Sequence, residues 1–517
     1  MDSIGSERLV TRSAAGSVCL PASIEDSYVL SPLQEGMLFH SLYAPHHAMY
    51  VRQIILTLHE VVHVPALRRA WDHVFKRHPI LRSSLRWKGI SEPVQEVHAR
   101  IELPFEQLDW RVFPADEHDE RLRNFLWEQR RRGFELSKAP LMRLKVLRLA
   151  DVDFRMVWTF HHILSDGYSD VLTMKELFAF YDSFCRGQEL HLEDPPPYRE
   201  HCNWSRQPVS ERAEEYWREK LIGFTEPTPL GMGSGSVSAE DSDAELGEQS
   251  LKLPADLTAR LKLLARAHDL TLSTMLQGAW ALLLSNYSGQ ADVVFGGVRG
   301  CRKSALDGKG AASIVGPFIN TLPIRVKLSP DSILLSWLKE LRQQWVNLRD
   351  YEHTPLVKVL DYSELSRGTP LFESAVAYDK AQMNTVLHAE GTPEWQNREL
   401  RTVQARSNFP LTLAAYGEDE FLITVRYDED RFEAHNIALM LERLRHVFEG
   451  FAENIEQKLS SLRLLTAAEE RKLLYEWNET GSGYPRAATV AGLFEEQVKK
   501  RAAAVAVVSG MEQVSYG

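Results

Sequence analysis

Cysteine is scarce in this chain, and its spacing excludes two classes of small protein. The 517 residues include four cysteines, and no two of them form a CxxC pair. Cys19, Cys185, Cys202 and Cys301 are instead scattered along the chain. Zinc ribbons and disulfide scaffolds need closely spaced cysteines, so neither is expected here. Isolated thiols are typical of a reducing compartment, and we expect a cytoplasmic protein.

Long apolar runs and an excess of positive charge are also missing. The most apolar stretch, residues 275–284, is far shorter than the ~20 residues that a membrane span requires. No signal peptide with a cationic and then an apolar region is found at the start of the chain. The formal net charge of -11 argues against nucleic-acid binding, which needs a basic surface. We therefore expect neither membrane nor nucleic acid as a partner.

Two common catalytic motifs are absent. The segment 231–235 has the wrong register for the GxSxG elbow of serine hydrolases. The pair Gly308 and Lys309 lacks the first glycine and the final Ser or Thr of a phosphate-binding loop, since Lys303 and Gly310 occupy those positions. Serine hydrolase and P-loop chemistry are therefore not expected.

The pattern of periodic segments predicts an α/β or α+β chain built from two lobes. Residues 1–20 are polar and aperiodic, which indicates a tail or linker. The proline-rich segment DPPPY at 194–198 interrupts the pattern and favours a boundary between lobes. We predict an N-terminal lobe over residues 21–190 and a C-terminal lobe over residues 191–460. The Gly/Ser-rich segment 231–238 indicates an exposed loop.

The composition changes again after Leu462. Residues 461–490 have the character of a linker, and residues 491–517 resemble the beginning of another domain. The sequence stops before that domain could bury a core. We therefore expect the chain to be a piece of a longer protein.

The most informative segment is HHILSDG at residues 161–167. It follows a strand-like run, residues 154–160, and precedes a helix-like run, residues 171–184. Successive side chains of a strand point to opposite faces, so His161 and His162 cannot both face one cavity. One imidazole is therefore expected to serve structure and the other chemistry. For the same reason we expect no metal ion between the two rings.

The residues after the histidines are expected to support the site. A carboxylate in an Asp-Gly turn more often accepts hydrogen bonds than moves protons, so we favour a structural role for Asp166 over one as general base. Gly167 is expected to let a substrate pass close to the backbone or to adopt a positive φ. Ser169 is expected to cap a helix whose positive end favours a neutral ring at His162.

The pattern HHxxxDG resembles the signature of the condensation domains of nonribosomal peptide synthetases. Further segments resemble the same family in the same order: SPLQEGMLFHSL at 31–42, RHPILRSSL at 77–85, YREHCNW at 198–204, DVVFGGVRGCRKS at 292–304, IVGPFINTLPIRV at 314–326 and LFESAVAY at 371–378. The likeness covers roughly residues 20–460. The residues beyond it resemble the linker and the first helix and strand of an adenylation domain.

The resemblance implies a fold and a set of site residues. The fold would be two chloramphenicol-acetyltransferase-like lobes in a V-shaped pseudo-dimer with a central tunnel. His162 would be the catalytic residue, supported by His161, Asp166 and Gly167. Arg82 stands where the family has an arginine that can pair with the motif aspartate. The sequence VRGCRKS departs from the family pattern, so no role is carried onto Arg302.

The resemblance also implies an activity and partners. Donor and acceptor carrier proteins would each bring a phosphopantetheine arm into the tunnel, and an amide would form between an acyl or peptidyl thioester and an aminoacyl thioester. No cofactor bound to this chain itself is expected, and an adenylation domain would be adjacent. The donor's stereochemistry stays open, as does the choice between base and positioner for His162. An epimerisation domain and a non-catalytic recruiting module of the same fold are the alternatives.

Overall fold

The computed structural model describes residues 23–44, 48–231, 246–308, 310–366, 368–380, 382–390, 393–403, 406–481, 483 and 488–517. The predicted tail at 1–20 and residues 232–238 of the predicted loop lie outside these ranges. The described chain forms two compact units, Met1–Leu464 and Leu465–Gly517. None of the helices in the described ranges has the length and apolar character that crossing a bilayer would need.

The first unit mixes strands and helices throughout its length. Its strands are β1 (Ile24–Val29), β2 (Val51–Leu58), β3 (Ser83–Arg86), β4 (Val94–His98), β5 (Phe105–Asp109), β6 (Met142–Ala150), β7 (Asp153–His161), β8 (Leu246–Lys252), β9 (Asp292–Gly300), β10 (Ile319–Lys327), β11 (Ser374–Asp379), β12 (Arg398–Val403), β13 (Leu411–Tyr416) and β14 (Leu422–Asp428). Its α-helices are α1 (Pro32–Tyr43), α2 (Val64–Arg77), α3 (His118–Arg131), α4 (Gly167–Cys185), α5 (Arg199–Ser205), α6 (Glu211–Leu221), α7 (Ala255–Ala267), α8 (Leu272–Ser288), α9 (Leu334–Asn347), α10 (Leu356–Asp361), α11 (Met383–Glu390) and α12 (Ala434–Glu453).

The N-terminal lobe is built on a five-stranded sheet of order β12-β2-β7-β6-β5, beside a three-stranded sheet of order β1-β4-β3. Strand β7 is buried on both faces. Trp158 and Phe160 point into a large core with α2 and α4, whereas Val157 points into a smaller core beneath α3. This alternation follows from the period of two along a strand. His161, the last residue of the strand, therefore lies on the same face as Val157.

The C-terminal lobe is built on a six-stranded sheet of order β10-β9-β11-β13-β14-β8. Residues of α7, α8, α9 and α12 form one hydrophobic core with this sheet, and Trp280, Leu338 and Leu444 are fully buried within it. The predicted combination of helices and strands in two lobes is confirmed.

The second half of the chain also completes the first lobe. Strand β12 pairs antiparallel with β2, so Arg398 lies opposite Leu58. The guanidinium of Arg398 is buried and forms ion pairs with Asp182 of α4 at 2.6 Å and with Glu60 at 2.8 Å. A buried Arg of this kind needs its carboxylate partners, because an unpaired charge in a core is costly. The two lobes are therefore fastened together beside α4.

The second unit contains helix α13 (Ala467–Arg471), helix α14 (Val490–Arg501) and the strands β15 (Val505–Ser509) and β16 (Glu512–Ser515). A turn of π-helix, Lys472–Glu476, follows α13 directly. The two strands pair antiparallel as a hairpin. The boundaries predicted for the linker and the further domain stay predictions.

Candidate active site

The double histidine lies where β7 ends and α4 begins. His161 is the last residue of β7, and residues 162–164 form one turn of 3-10 helix. The side chain of Asp166 caps α4, since its Oδ1 accepts a hydrogen bond from the backbone N–H of Ser169 at 2.8 Å. The expected cap at Ser169 and the expected helix start at Val171 are wrong, because Asp166 already satisfies N–H groups of the first turn.

Both ring nitrogens of His161 have partners inside the N-terminal lobe. Nδ1 accepts a hydrogen bond from the backbone N–H of Ile163 at 3.2 Å, which assigns the proton to Nε2. Nε2 lies 3.2 Å from the hydroxyl oxygen of Ser41, and that hydroxyl donates to the carbonyl of Met37. Burial and then the neighbouring ring of His162 lower the pKa of His161 to about 3. This buried, fully bonded ring fixes the turn.

The ring of His162 has one bonded nitrogen and one open nitrogen. Its Nδ1 lies 2.5 Å from the carbonyl oxygen of Ser165, and because a carbonyl only accepts, we assign the proton to Nδ1. Within the described ranges, no side chain or backbone group forms a hydrogen bond with its Nε2. Burial, followed by the charge of Arg52, lowers the pKa of His162 to about 4. The half-buried ring is thus neutral at pH 7, with a lone pair on Nε2.

Asp166 joins the histidine turn to the C-terminal lobe. Its Oδ1 lies 3.0 Å from the guanidinium of Arg302, and its Oδ2 accepts from the backbone N–H of Phe318 at 2.9 Å. Burial alone would raise the pKa of Asp166, but Arg302 and the hydrogen bonds from Phe318 and Ser169 outweigh it and lower that pKa. The carboxylate is therefore ionised, and its oxygens are occupied as acceptors in the way a structural role requires.

Arg82 does not reach Asp166. Its guanidinium contacts Glu25 at 2.7 Å and donates to the carbonyl oxygens of Phe75 and His98 at 3.2 Å and 2.6 Å. The expected pairing with the motif aspartate is therefore wrong for Arg82, because the 3-10 turn Pro79–Arg82 that follows α2 directs this side chain toward β1 and β4. Arg82 stabilises the edge of the N-terminal lobe, and Arg302 takes the position beside the aspartate.

Arg302 is the residue that sequence reasoning missed. Besides Asp166, its guanidinium donates to the carbonyl oxygens of Ala311, Ile314 and Gly316 at 2.8, 2.8 and 3.0 Å. It also lies over the rings of Tyr168 and Phe318, with centroids 4.5 Å and 4.1 Å from its central carbon. It stands directly after β9, which pairs with β10, and no local signal in the sequence identifies it as the partner of Asp166.

Two glycines near the site differ in what surrounds them. Gly167 has an ordinary helical φ, so the expectation of a positive φ is wrong, and no atom lies within 4 Å of where a Cβ would stand. That open space agrees with the other expectation, a backbone that a substrate can approach. Gly316 is the opposite case, because a Cβ there would overlap the ring of Tyr198. Only glycine fits between Tyr198 and the Arg302 guanidinium.

Residues 59–63, HEVVH, match the HExxH pattern of zinc proteases but do not form the helix on which that pattern binds zinc. The segment lies in the turn between β2 and α2, so its histidines do not share a helix face as that motif requires. Glu60 is bound by Arg398, and the Nδ1 of His63 accepts from the backbone N–H of Ala66 to cap α2. In the described ranges, no group of His, Cys, Asp and Glu side chains is arranged to hold a metal ion.

Comparison with known families decides the identity of the fold. Residues 24–474 match the family model of the condensation domain. The chain belongs to this family. The resemblance drawn from HHxxxDG and from the segments around it is thereby confirmed, and the matched region contains both histidines, Asp166 and Arg302.

The curated relatives of this condensation domain include very large proteins from Brevibacillus parabrevis. One of the subunits of linear gramicidin synthase is 40% identical over 493 residues, which cover 95% of this chain and 9% of that relative. Another of its subunits is 38% identical over 494 residues, which cover 96% of this chain and 6% of that relative. The chain thus spans less than a tenth of the length of either protein.

A solved structure shares the fold of this condensation domain. A four-domain nonribosomal peptide synthetase, solved with AMP and glycine bound, matches it with a TM-score of 0.77 and 16% sequence identity. The match covers 97% of this chain and 38% of that one. At this identity the likeness concerns the fold alone, and it confirms the two chloramphenicol-acetyltransferase-like lobes.

Proposed function

We propose that this condensation domain forms an amide bond between two carrier-bound substrates and that His162 is its catalytic residue. The single observation that carries the proposal is the neutral, half-buried ring of His162, whose Nδ1 is fixed while its Nε2 stays open. The ion pair of Asp166 with Arg302 fastens the turn that holds this ring to the C-terminal lobe. A fixed nitrogen with a lone pair suits proton transfer from a nucleophile.

The reaction needs no covalent enzyme intermediate, because a thioester is already activated. The acceptor's amine nitrogen attacks the donor's thioester carbonyl, a C–N bond forms, and the C–S bond breaks. The proton leaves the amine nitrogen through His162 and ends on the departing thiol. Alignment of the two arms can contribute up to about 7–11 kcal/mol in ideal cases. The product amide is then held by the acceptor carrier.

The depressed pKa of His162 favours one order of events. An imidazole with a pKa of about 4 is a weak base, so it first holds the neutral amine by accepting a hydrogen bond from it. It takes the proton when the nitrogen becomes positive during attack. His162 thus acts as positioner before it acts as base.

The partners of this proposal are a donor carrier protein, an acceptor carrier protein and an adenylation domain of which residues 491–517 form the beginning. The phosphopantetheine arms belong to the carriers, and they enter a central tunnel between the lobes. Two observations support these partners: the matched gramicidin synthase subunits extend far beyond this domain, and the solved nonribosomal peptide synthetase that shares its fold has four domains.

Epimerisation is the competing reaction, because such domains share the HHxxxDG pattern. The test supplies the full chain with a donor carrier and an acceptor carrier, each loaded with an amino acid, and follows both by intact-protein mass spectrometry. We expect the mass of the donor acyl group to move to the acceptor carrier. Deuterium incorporation at the donor Cα in D2O, with no mass transfer, would instead indicate epimerisation. No change of either kind would indicate a non-catalytic module.

A further inference from the structure

A buried ion pair lies directly beneath the histidine turn. Arg52, in the second position of β2, places its guanidinium 2.7 Å from the carboxylate of Asp170 in the first turn of α4. The two side chains are 4% and 0% exposed. Burying two charges has a large desolvation cost, and packed apolar side chains could fill the same space without it. The pair therefore calls for a role beyond stability.

The ion pair is linked to His162 through a single residue. The hydroxyl of Ser165 donates to Oδ1 of Asp170 at 2.5 Å, and the carbonyl of Ser165 accepts the Nδ1 proton of His162. The strand that carries Arg52 also contacts the turn, since the backbone N–H of His162 donates to the carbonyl of Tyr50 at 2.7 Å, two residues before Arg52. Asp170 thus acts through Ser165 on the backbone that orients the ring, and Arg52 acts through Asp170.

We propose that Arg52 and Asp170 are positioning residues for His162: Asp170 fixes the Ser165 carbonyl that sets the ring's tautomer, and Arg52 holds the Asp170 carboxylate and places a positive charge near the ring. The inference rests on the proposed amide-forming function and extends it to two residues that are buried beneath the histidine turn. Arg52 also lies over the ring of Phe160, 5.6 Å from its centroid, which fixes the guanidinium in place.

The charged groups around the turn come from several elements, and their influences on His162 differ in sign. They are Arg52 on β2, His161 on β7, Asp166 and Asp170 at the start of α4, Arg302 after β9 and Asp379 at the end of β11. After burial, Arg52 is the largest influence that lowers the pKa of His162, and Asp166 opposes it. Burial, only partly opposed by Arg52, raises the pKa of Asp170 to about 6.

The test measures the titration of His162 in the histidine-labelled full chain by NMR, with a His162→Gln variant to assign its signal. Arg52→Met should raise the pKa of His162 by about half a unit or more, because a nearby positive charge is lost. Arg52→Lys keeps the charge and should restore a value near that of the unmodified protein. A pKa unchanged in Arg52→Met, or lowered, would overturn the proposal.

The kinetic arm uses single-turnover amide formation with loaded carriers. Asp170→Asn should lower the rate constant by about tenfold or more while the half-saturating carrier concentrations change less than about twofold. Ser165→Ala is a milder variant, which removes only the hydroxyl and should lower the rate in the same direction. Arg77→Met is the matched control: it removes the ion pair, 3.0 Å long, between Arg77 of α2 and Glu176, which lies on α4 as Asp170 does.

The outcomes separate this proposal from the one it rests on. If His162→Ala abolishes amide formation while Asp170→Asn and Ser165→Ala react at the unmodified rate, the positioning role is refuted and the function stands. If Arg77→Met lowers the rate as much as Asp170→Asn does, the effect belongs to ion pairs of α4 in general and the proposal also fails. If His162→Ala reacts normally, the proposed function itself is refuted.

Discussion

Arg302→Met should weaken the attachment of the histidine turn to the C-terminal lobe. The ion pair of Arg302 with Asp166 spans 3.0 Å, and the two side chains are only 10% and 3% exposed. Removing one partner of a buried pair costs about 3–5 kcal/mol, because the other charge stays buried without compensation. The hydrogen bonds to Asp166 from Ser169 and Phe318 survive, so we expect the lower end, about 3 kcal/mol. Methionine retains the apolar stem between the aromatic rings.

A double-mutant cycle assigns that loss to the proposed pair. The free energy of unfolding is measured by urea titration of the full chain for Arg302→Met, Asp166→Asn and their combination. We expect a coupling energy of about 1–3 kcal/mol, as is usual for residues in direct contact. The parallel cycle of Asp166→Asn with Arg82→Met should show no coupling beyond about 0.5 kcal/mol, since Arg82 pairs with Glu25 instead.

The cycle can also refute this reasoning. Coupling between Asp166 and Arg82 that equals or exceeds the coupling between Asp166 and Arg302 would mean that the aspartate has its partner in its own lobe. The same conclusion would follow if Arg302→Met destabilised the chain by less than about 0.5 kcal/mol, the usual range for a surface substitution. Amide formation, measured on the same variants, should fall with Arg302→Met and not with Arg82→Met.

Two further predictions concern stability. Gly316→Ala should destabilise the chain by about 1–3 kcal/mol in a urea titration, because its methyl group would overlap an aromatic ring, whereas Gly167→Ala has open space and should change stability far less; equal effects would contradict the close approach. Acid should also destabilise the fold. Burial lowers the pKa of His161 and of His201 to about 3 in each case, so both rings bind protons more weakly in the folded state than in the unfolded state. The stability that is present above pH 6.5 is therefore lost as the pH falls. His162, with its pKa lowered to about 4, adds to this loss, whereas Asp170, with its pKa raised to about 6, opposes part of it. The net loss between pH 7 and 4.5 should be about 5 kcal/mol, measured by urea titration at each pH. Stability that is constant or rises over that window would contradict the burial of these rings.

Local patterns in the sequence were sufficient for much of the site. The alternation along a strand predicted different roles for two adjacent histidines, and the structure gives His161 two bonded nitrogens and His162 one. The apolar period predicts the start of α4 four residues too late, at Val171, because Asp166 caps the helix at Gly167, before that period begins. An N-cap side chain accepts hydrogen bonds from the backbone N–H groups of the first turn, and it does so independently of the spacing of the apolar residues in the helix.

Contacts between distant segments could not be read in the same way. Arg302 lies 136 residues from Asp166 in the chain, and nothing in its neighbourhood states that β9 and β10 bring it to the other lobe. Strand β12 presents the same difficulty, since its pairing with β2 joins segments that a contiguous division into lobes separates. In both cases the tertiary packing decides which arginine pairs with Asp166 and which strand pairs with β2, and the local sequence does not distinguish the candidates.

The most direct test of the central claim is the single-turnover rate of amide formation by His162→Ala, with both carriers loaded and saturating. We predict a loss of about 100-fold or more, typical of removing a group that moves a proton in the transition state, with carrier binding unchanged. His435→Ala, a substitution of an exposed histidine on α12, should react at the unmodified rate. A His162→Ala variant that forms the amide as fast as the unmodified chain would contradict the account.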